Sequence, residues 1–275
     1  MLNITSEEKD GFPNKSLFPK RGLPKLEIKD LNIHFGGIKA LNGVSFLVED
    51  NQLFGLIGPN GAGKTTILNI INGVYQPSSG AIFLDGGNIT GLKPHQIAKM
   101  GVARTFQNIE LFKNMTVIDN LMLGRHQFLQ SGILAGSFYQ GKCLKEEIIN
   151  RDRVEGIIEF LEIEAYRKKV VRMLPYGVQK RVELGRALSM DPKILLLDEP
   201  CSGMNTEETE DMARFILDIK EELGISIMMI EHNMEVIMDI ADKISVINFG
   251  VKIAEGNPAE IQSNPKVIKA YLGED

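Results

Sequence analysis

Gly58-Pro59-Asn60-Gly61-Ala62-Gly63-Lys64-Thr65, followed by a second threonine, Thr66, has the form GxxxxGK[ST]. Leu53-Phe54-Gly55-Leu56-Ile57 before it is an apolar run of strand length. After it, Ile67, Leu68, Ile70 and Ile71 recur at helical spacing up to Asn72-Gly73. The pattern predicts strand, glycine-rich turn and helix, the context in which this motif cradles a triphosphate. Glycines let successive backbone N–H groups turn toward one point, and the new helix adds the positive end of its dipole there. Lys64 is placed to reach β- and γ-phosphates, and the Thr65 hydroxyl to complete a magnesium shell. A chance lysine in a glycine turn would not bring both flanks with it. The stretch predicts a nucleoside triphosphate site.

Such a site also needs a carboxylate for magnesium at the end of a neighbouring strand and, for hydrolysis, a group to position water. Leu196-Leu197-Asp198-Glu199-Pro200 supplies both, with Asp198 closing an apolar run and Glu199 beside it. Two acids at a strand end are ordinarily just solvated; the glycine loop upstream changes their meaning. His232 follows the apolar run Ile225 to Ile230 and Glu231. Parallel sheets place ligands at the carboxyl ends of their strands, so His232 reads as a γ-phosphate sensor. Gln107 follows a strand expected over Val102 to Phe106 and, by itself, reads as a loop glutamine.

Outward from these motifs the chain changes character twice. Residues 1–24 are polar, carry Pro13, Pro19 and Pro24, and read as a flexible lead-in. Leu26, Ile28, Leu31, Ile33 and Phe35 predict a strand over Lys25 to Phe35, although Asp30 and Asn32 blur its alternation. Gly36-Gly37 turns the chain into an antiparallel neighbour over Ala40 to Val48, and a short strand over Ala81 to Leu84 comes later. From Leu111 to Leu188 helical patterns dominate; Ile149, Val154, Ile157, Ile158 and Leu161 share one expected face. His126 to Gln140, apolar, small and glycine-interrupted, reads as a loop or broken helix, or else as a partner-facing surface. Then helices over Glu207 to Leu223 and Asn233 to Ala241 alternate with strands over Ile225 to Ile230 and Lys243 to Asn248. Apolar strands alternating with helices predict an α/β fold with a parallel sheet covered on both faces.

Bulk properties narrow the class further. At 275 residues the chain is long enough for an ample core, and 43% hydrophobic with 24% charged residues is ordinary for a soluble protein. A formal net charge of −5 without a long basic run argues against a nucleic-acid partner. Cys143 and Cys201 stand apart, which suits a reducing cytoplasm. No run reaches the roughly 18 to 20 apolar residues of a membrane span, and no apolar signal region opens the chain.

In this order the motifs resemble the ATPase subunit of ATP-binding cassette (ABC) transporters. Gly58 to Thr65 matches the Walker A motif and Ile194 to Glu199 Walker B; Gln107 matches the Q-loop, Cys201 to Asn205 the D-loop and His232 the switch histidine. Leu174-Pro175-Tyr176-Gly177-Val178 lies where the family carries its signature, and Phe35 where it carries an aromatic residue that stacks on adenine. Arg104-Thr105-Phe106-Gln107-Asn108, Met115-Thr116-Val117 and Ala270-Tyr271-Leu272-Gly273 resemble the larger ATPase of branched-chain amino acid importers, whose branch also serves amides and urea.

The resemblance implies a P-loop ABC ATPase with a mostly parallel sheet core, a small antiparallel β subdomain and a helical subdomain. Residues 25–257 would form that domain, with its helical part at 111–188 and a helical tail at 258–275. It further implies ATP with Mg2+, a second ATPase subunit, two transmembrane permease subunits and, indirectly, a solute-binding protein, at the cytoplasmic face of the membrane. Lys64 and the loop amides would bind phosphates within Gly58 to Thr66, and Thr65, Gln107 and Asp198 would hold the metal. Glu199 would orient and deprotonate the water while His232 steadies the γ-phosphate and Glu199, and Gly177 would serve the nucleotide of the other subunit. One departure is serious: where the family has Leu-Ser-Gly-Gly-Gln, only Leu174 and Gly177 remain. Three alternatives remain. The ending Tyr271 to Asp275 also resembles the ATPase of lipopolysaccharide export. A soluble, non-transport ABC ATPase would usually carry two cassettes or basic patches, and a P-loop kinase would leave Gln107 and His232 unexplained.

Overall fold

A computed structural model of the chain describes residues 23–128 and 142–272. Most of the expected lead-in and insert, and Gly273 to Asp275, lie outside the described residues. Two compact units divide the chain, one of Gly22–Glu110 with Met190–Asp275, the other containing Leu111–Ser189.

In the first unit β1 (Leu26–Phe35), β2 (Ile38–Val48), β4 (Ser79–Leu84) and β5 (Gly87–Asn88) form an antiparallel sheet in the order β2-β1-β4-β5. The blurred alternation of β1 has a physical cause. Ile28 and Leu31 are both buried although three positions apart, and the pairing with β2 shifts between them. Asp30, at φ 46°, forms the bulge that returns Leu31 to the inner face, and its N–H donates to Ser45 Oγ at 2.8 Å.

The larger sheet joins β3 (Leu53–Ile57), β6 (Val102–Arg104), β7 (Ile194–Asp198), β8 (Ser226–Ile230), β9 (Lys243–Asn248) and β10 (Val251–Gly256) in the order β10-β9-β3-β8-β7-β6. Every pair is parallel except β9 with β10. β3, β7 and β8 are buried at every position, which is why they read as unbroken apolar runs. The strand expected through Phe106 ends at Arg104, and its last backbone bond to β7 runs from the Thr105 N–H to the Leu196 carbonyl at 3.0 Å.

Helices α1 (Lys64–Ile71) and α2 (Pro94–Lys99) also belong to this unit. The second unit carries α3 (Val117–Gly124), α4 (Lys142–Phe160) and α5 (Tyr176–Leu188). Val154, Ile157, Ile158 and Leu161 are buried as their spacing predicts, but Ile149 is 65% exposed. Asn150 turns inward in its place and accepts from the Arg125 Nε–H at 2.9 Å. A polar residue with a partner has displaced an apolar one from the expected face.

Back in the first unit, α6 (Thr206–Glu221), α7 (Met234–Ile240), α8 (Pro258–Gln262) and α9 (Pro265–Leu272) complete the chain. Met212, Phe215, Ile216 and Ile219 are the buried stripe of α6, whereas Leu223 lies beyond its end and is half-buried. Asn205 and Glu208 cap its start reciprocally, at 2.9 and 3.1 Å. Burial should outweigh capping here. Phe215→Ala is expected to cost about 3–5 kcal/mol, against about 1 kcal/mol for Asn205→Ala, read from urea denaturation midpoints. Equal losses would contradict that ranking.

Candidate nucleotide site

The glycine loop leaves the carboxyl end of β3 and runs directly into α1. Gly58 has φ 152°, and a Cβ there would lie 1.9 Å from the Ile247 carbonyl oxygen, so only glycine fits against β9. Gly61 has φ 78° but open space around it. Pro59 is half-buried, Asn60, Gly61 and Thr65 are exposed, Ala62 is buried, and Gly63 and Thr66 are half-buried. Lys64 is buried, and its ammonium donates to the Gly58 and Pro59 carbonyls at 2.6 and 3.0 Å. Burial lowers its pKa from the ordinary lysine value, while the charges of Glu199 and Asp198 pull the other way. The cation is thus held inside the loop by carbonyls that are weaker partners than phosphate oxygens.

Asp198 ends β7, one strand removed from β3, and Glu199 follows it; they are 3% and 8% exposed. Glu199 has φ 52°, a conformation that a residue other than glycine holds only when its surroundings fix it. Three contacts do so. Its N–H donates to the Ile230 carbonyl at 2.9 Å, His232 Nε2 lies 2.7 Å from Oε1, and Gln107 Nε2 donates to Oε2 at 2.8 Å. The structure therefore brings Gln107, Glu199 and His232 into one cluster, each oxygen of the carboxylate held from a different segment.

Three further residues had not been singled out as site residues. Glu231, buried, accepts from the N–H groups of Cys201, His232 and Asn233 at 2.9, 2.8 and 3.2 Å, and so joins the turn after Glu199 to the turn after β8. Arg104 Nη2 lies 2.7 Å from Asp198 Oδ2, in a pair whose side chains are both 4% exposed. Its Nη1 donates to Asn69 Oδ1 on α1 at 2.7 Å. A cation closing a short apolar strand was the signal available for Arg104; Glu231 stood next to His232 and passed as part of a strand end.

Asp198 Oδ1 is buried with no hydrogen-bond partner among the described residues. An orphaned carboxylate oxygen suits a hard cation such as Mg2+, which takes one or two protein carboxylates and completes its shell with phosphate and water. Phe35, at the end of β1, is 44% exposed, with the Tyr75 ring edge-on at 5.2 Å. In the second unit Pro175 stands at the N-cap position of α5 without a side-chain capping bond, Gly177 is buried in its first turn, and Gln179 Nε2 donates to the Leu174 carbonyl at 2.9 Å.

A family model described as ABC transporter matches residues 41–202. The chain belongs to the ABC transporter family. A second model, described as branched-chain amino acid ATP-binding cassette transporter, matches residues 251–275. The high-affinity branched-chain amino acid transport ATP-binding protein BraF of Pseudomonas aeruginosa is 43% identical over 91% of this chain and 98% of its own length. LivG of Escherichia coli, which bears the same description, is 39% identical over the same shares. The ATP-binding cassette MJ1267 in its ADP conformation superposes with a TM-score of 0.80 at 32% identity, covering 92% of this chain and all of that one. As an ABC ATPase, the chain couples ATP hydrolysis to transport. Among the described residues no helix is long and apolar enough to cross a membrane.

The loop makes a sharp prediction. Gly58→Ala should abolish nucleotide binding, because its methyl group meets backbone, whereas Gly61→Ala costs about 1 kcal/mol of backbone strain and leaves binding measurable. Calorimetric titration with ADP compares them; similar affinities in the two variants would contradict the packing argument.

Proposed function

We propose that this ABC ATPase powers import of branched-chain amino acids or related small polar solutes through partner permeases, bound peripherally at the cytoplasmic face of the membrane. The likeness to BraF and LivG over nine-tenths of the chain supports the solute class. The observation that carries the chemistry is the doubly held carboxylate of Glu199.

In this reading Phe35 stacks on adenine, with Tyr75 bracing its ring. Lys64 exchanges the Gly58 and Pro59 carbonyls for phosphate oxygens, and the N–H groups of Gly58 and of residues 60–66 complete the cradle. Thr65, Gln107 and Asp198 would hold Mg2+, which when bound offsets charge on the phosphates. Glu199 takes the proton of the attacking water, and His232 holds that carboxylate in place and contacts the γ-phosphate. The Gln107 contact with Glu199 gives the turn after β6 a direct hold on the base.

Lys64→Ala should therefore lose nucleotide affinity, and Glu199→Gln should keep it while losing most turnover in the assembled transporter. Near wild-type hydrolysis by Glu199→Gln would remove the base assignment. Uptake of labelled leucine by vesicles containing the complex, with its binding protein present, tests the solute class; urea or amides serve as competitors. Failure of all of them would overturn it.

The signature argues for an unequal partnership. Pro175 offers neither a hydroxyl nor an N–H, so two donors to the partner's nucleotide are missing, each typically worth about 1.5–3 kcal/mol toward a charged group. A homodimer would carry that loss at both sites. A second ATPase with an intact signature would confine it to one, leaving the ATP on this chain's Lys64 fully served. Glu199→Gln should then reduce activity of the complex far more than the matching change in the other subunit. Equal reductions, or full activity from this chain alone, would rule out the asymmetry.

A further inference from the structure

Arg104 stands at the meeting point of three segments. It ends β6, opposite Leu196 of β7, and the next residue continues the pairing through Thr105 N–H to the Leu196 carbonyl at 3.0 Å. Its guanidinium is buried, with Nη2 on Asp198 Oδ2 and Nη1 on Asn69 Oδ1, both at 2.7 Å, and with Cζ 5.0 Å from the Phe106 ring centroid. Among the described residues its Nε has no hydrogen-bond partner, and neither has Asp198 Oδ1. A buried ion pair is weak evidence for stability, since desolvation opposes the attraction. Its planar fork does something else: it fixes directions. Guanidinium stays charged at any working pH and holds its donors in a rigid plane.

We propose that Arg104 is a positioning residue for the metal carboxylate, holding Asp198 by Oδ2 so that Oδ1 alone faces the cation, in register with the phosphate-binding helix through Asn69. The inference rests on Asp198 being the magnesium carboxylate. Asn69 lies on α1, the helix that begins with Lys64 and Thr65, so one side chain aligns the Asp198 oxygen with the residues that meet the phosphates. Phe106 stacks on the same guanidinium directly before Gln107, which gives the turn after β6 a second path to the metal side of the site. Partners that orient a ligand from behind commonly set metal affinity by 10- to 100-fold.

The test uses the full-length chain with ADP, titrated with Mn2+ and followed by electron paramagnetic resonance, alongside ADP affinity in EDTA by calorimetry. Asp198→Asn should weaken Mn2+ binding; if it does not, the reading of Asp198 fails and this inference with it. Given that loss, Arg104→Gln should weaken Mn2+ binding roughly 10- to 100-fold while ADP affinity in EDTA stays unchanged. Arg104→Lys, which keeps one donor for Asp198, should restore part of the loss. Should Arg104→Gln fail to fold, Arg104→Lys and Asn69→Ala carry the test, each expected to weaken Mn2+ binding by several-fold. Wild-type Mn2+ affinity in the folded Arg104 variants overturns the proposal. So does an equal loss with and without metal, since that would mark Arg104 as merely structural.

Discussion

Parallel pairing of β3, β8 and β7 is the constraint on which the site depends. Leu56 lies opposite Ile230, and Ile230 opposite Asp198, so three strands end at one level. The chain then breaks from each strand within a residue or two, into Gly58, into Glu199 and into Glu231-His232. Carboxyl ends of parallel strands leave backbone N–H and side chains pointing into a shared crevice, the place where open α/β sheets bind ligands. A one-residue slip of β7 would turn Asp198 to the opposite face and remove it from Arg104.

Charge is handled within that crevice by mutual satisfaction. Lys64, Arg104, Asp198 and Glu199 are two cations and two carboxylates in the same strand-end layer, and all but Arg104 are less than a tenth exposed as whole residues. Each has a definite hold: carbonyls for Lys64, Asp198 and Asn69 for Arg104, His232 and Gln107 for Glu199. Buried charges without such partners would shift to their neutral forms or open the fold. The low effective dielectric that makes this costly also strengthens each of these contacts. Glu199 at positive φ belongs to the same economy of fixed positions, since strain of this kind persists where the surroundings over-determine the backbone.

Much of this was legible along the chain. The glycine spacing from Gly58 to Gly63 is a local instruction about backbone angles, and the apolar runs of β3, β7 and β8 state their own burial. Asp198, Glu199 and His232 could be read because each directly follows such a run. Asp30 and Asn32 visibly blurred the alternation of β1, but the bulge behind it was not legible, and the period of α4 put Ile149 on the inner face when Asn150 had a partner there. Periodicity counts apolar residues; it does not see a buried hydrogen bond.

The sequence by itself determined the family, the glycine loop and the polar residues that directly follow each buried strand, because these are properties of contiguous residues. Only the tertiary structure decided which side chain holds which. Arg104 reaches Asp198 across 94 positions and Asn69 across 35, Gln107 reaches Glu199 across 92, and Glu231 takes the Cys201 N–H across 30. Contacts at such separations carry no local period. They exist because parallel strands distant in sequence are hydrogen-bonded side by side, which fixes the spacing between their final residues to within the length of a side chain.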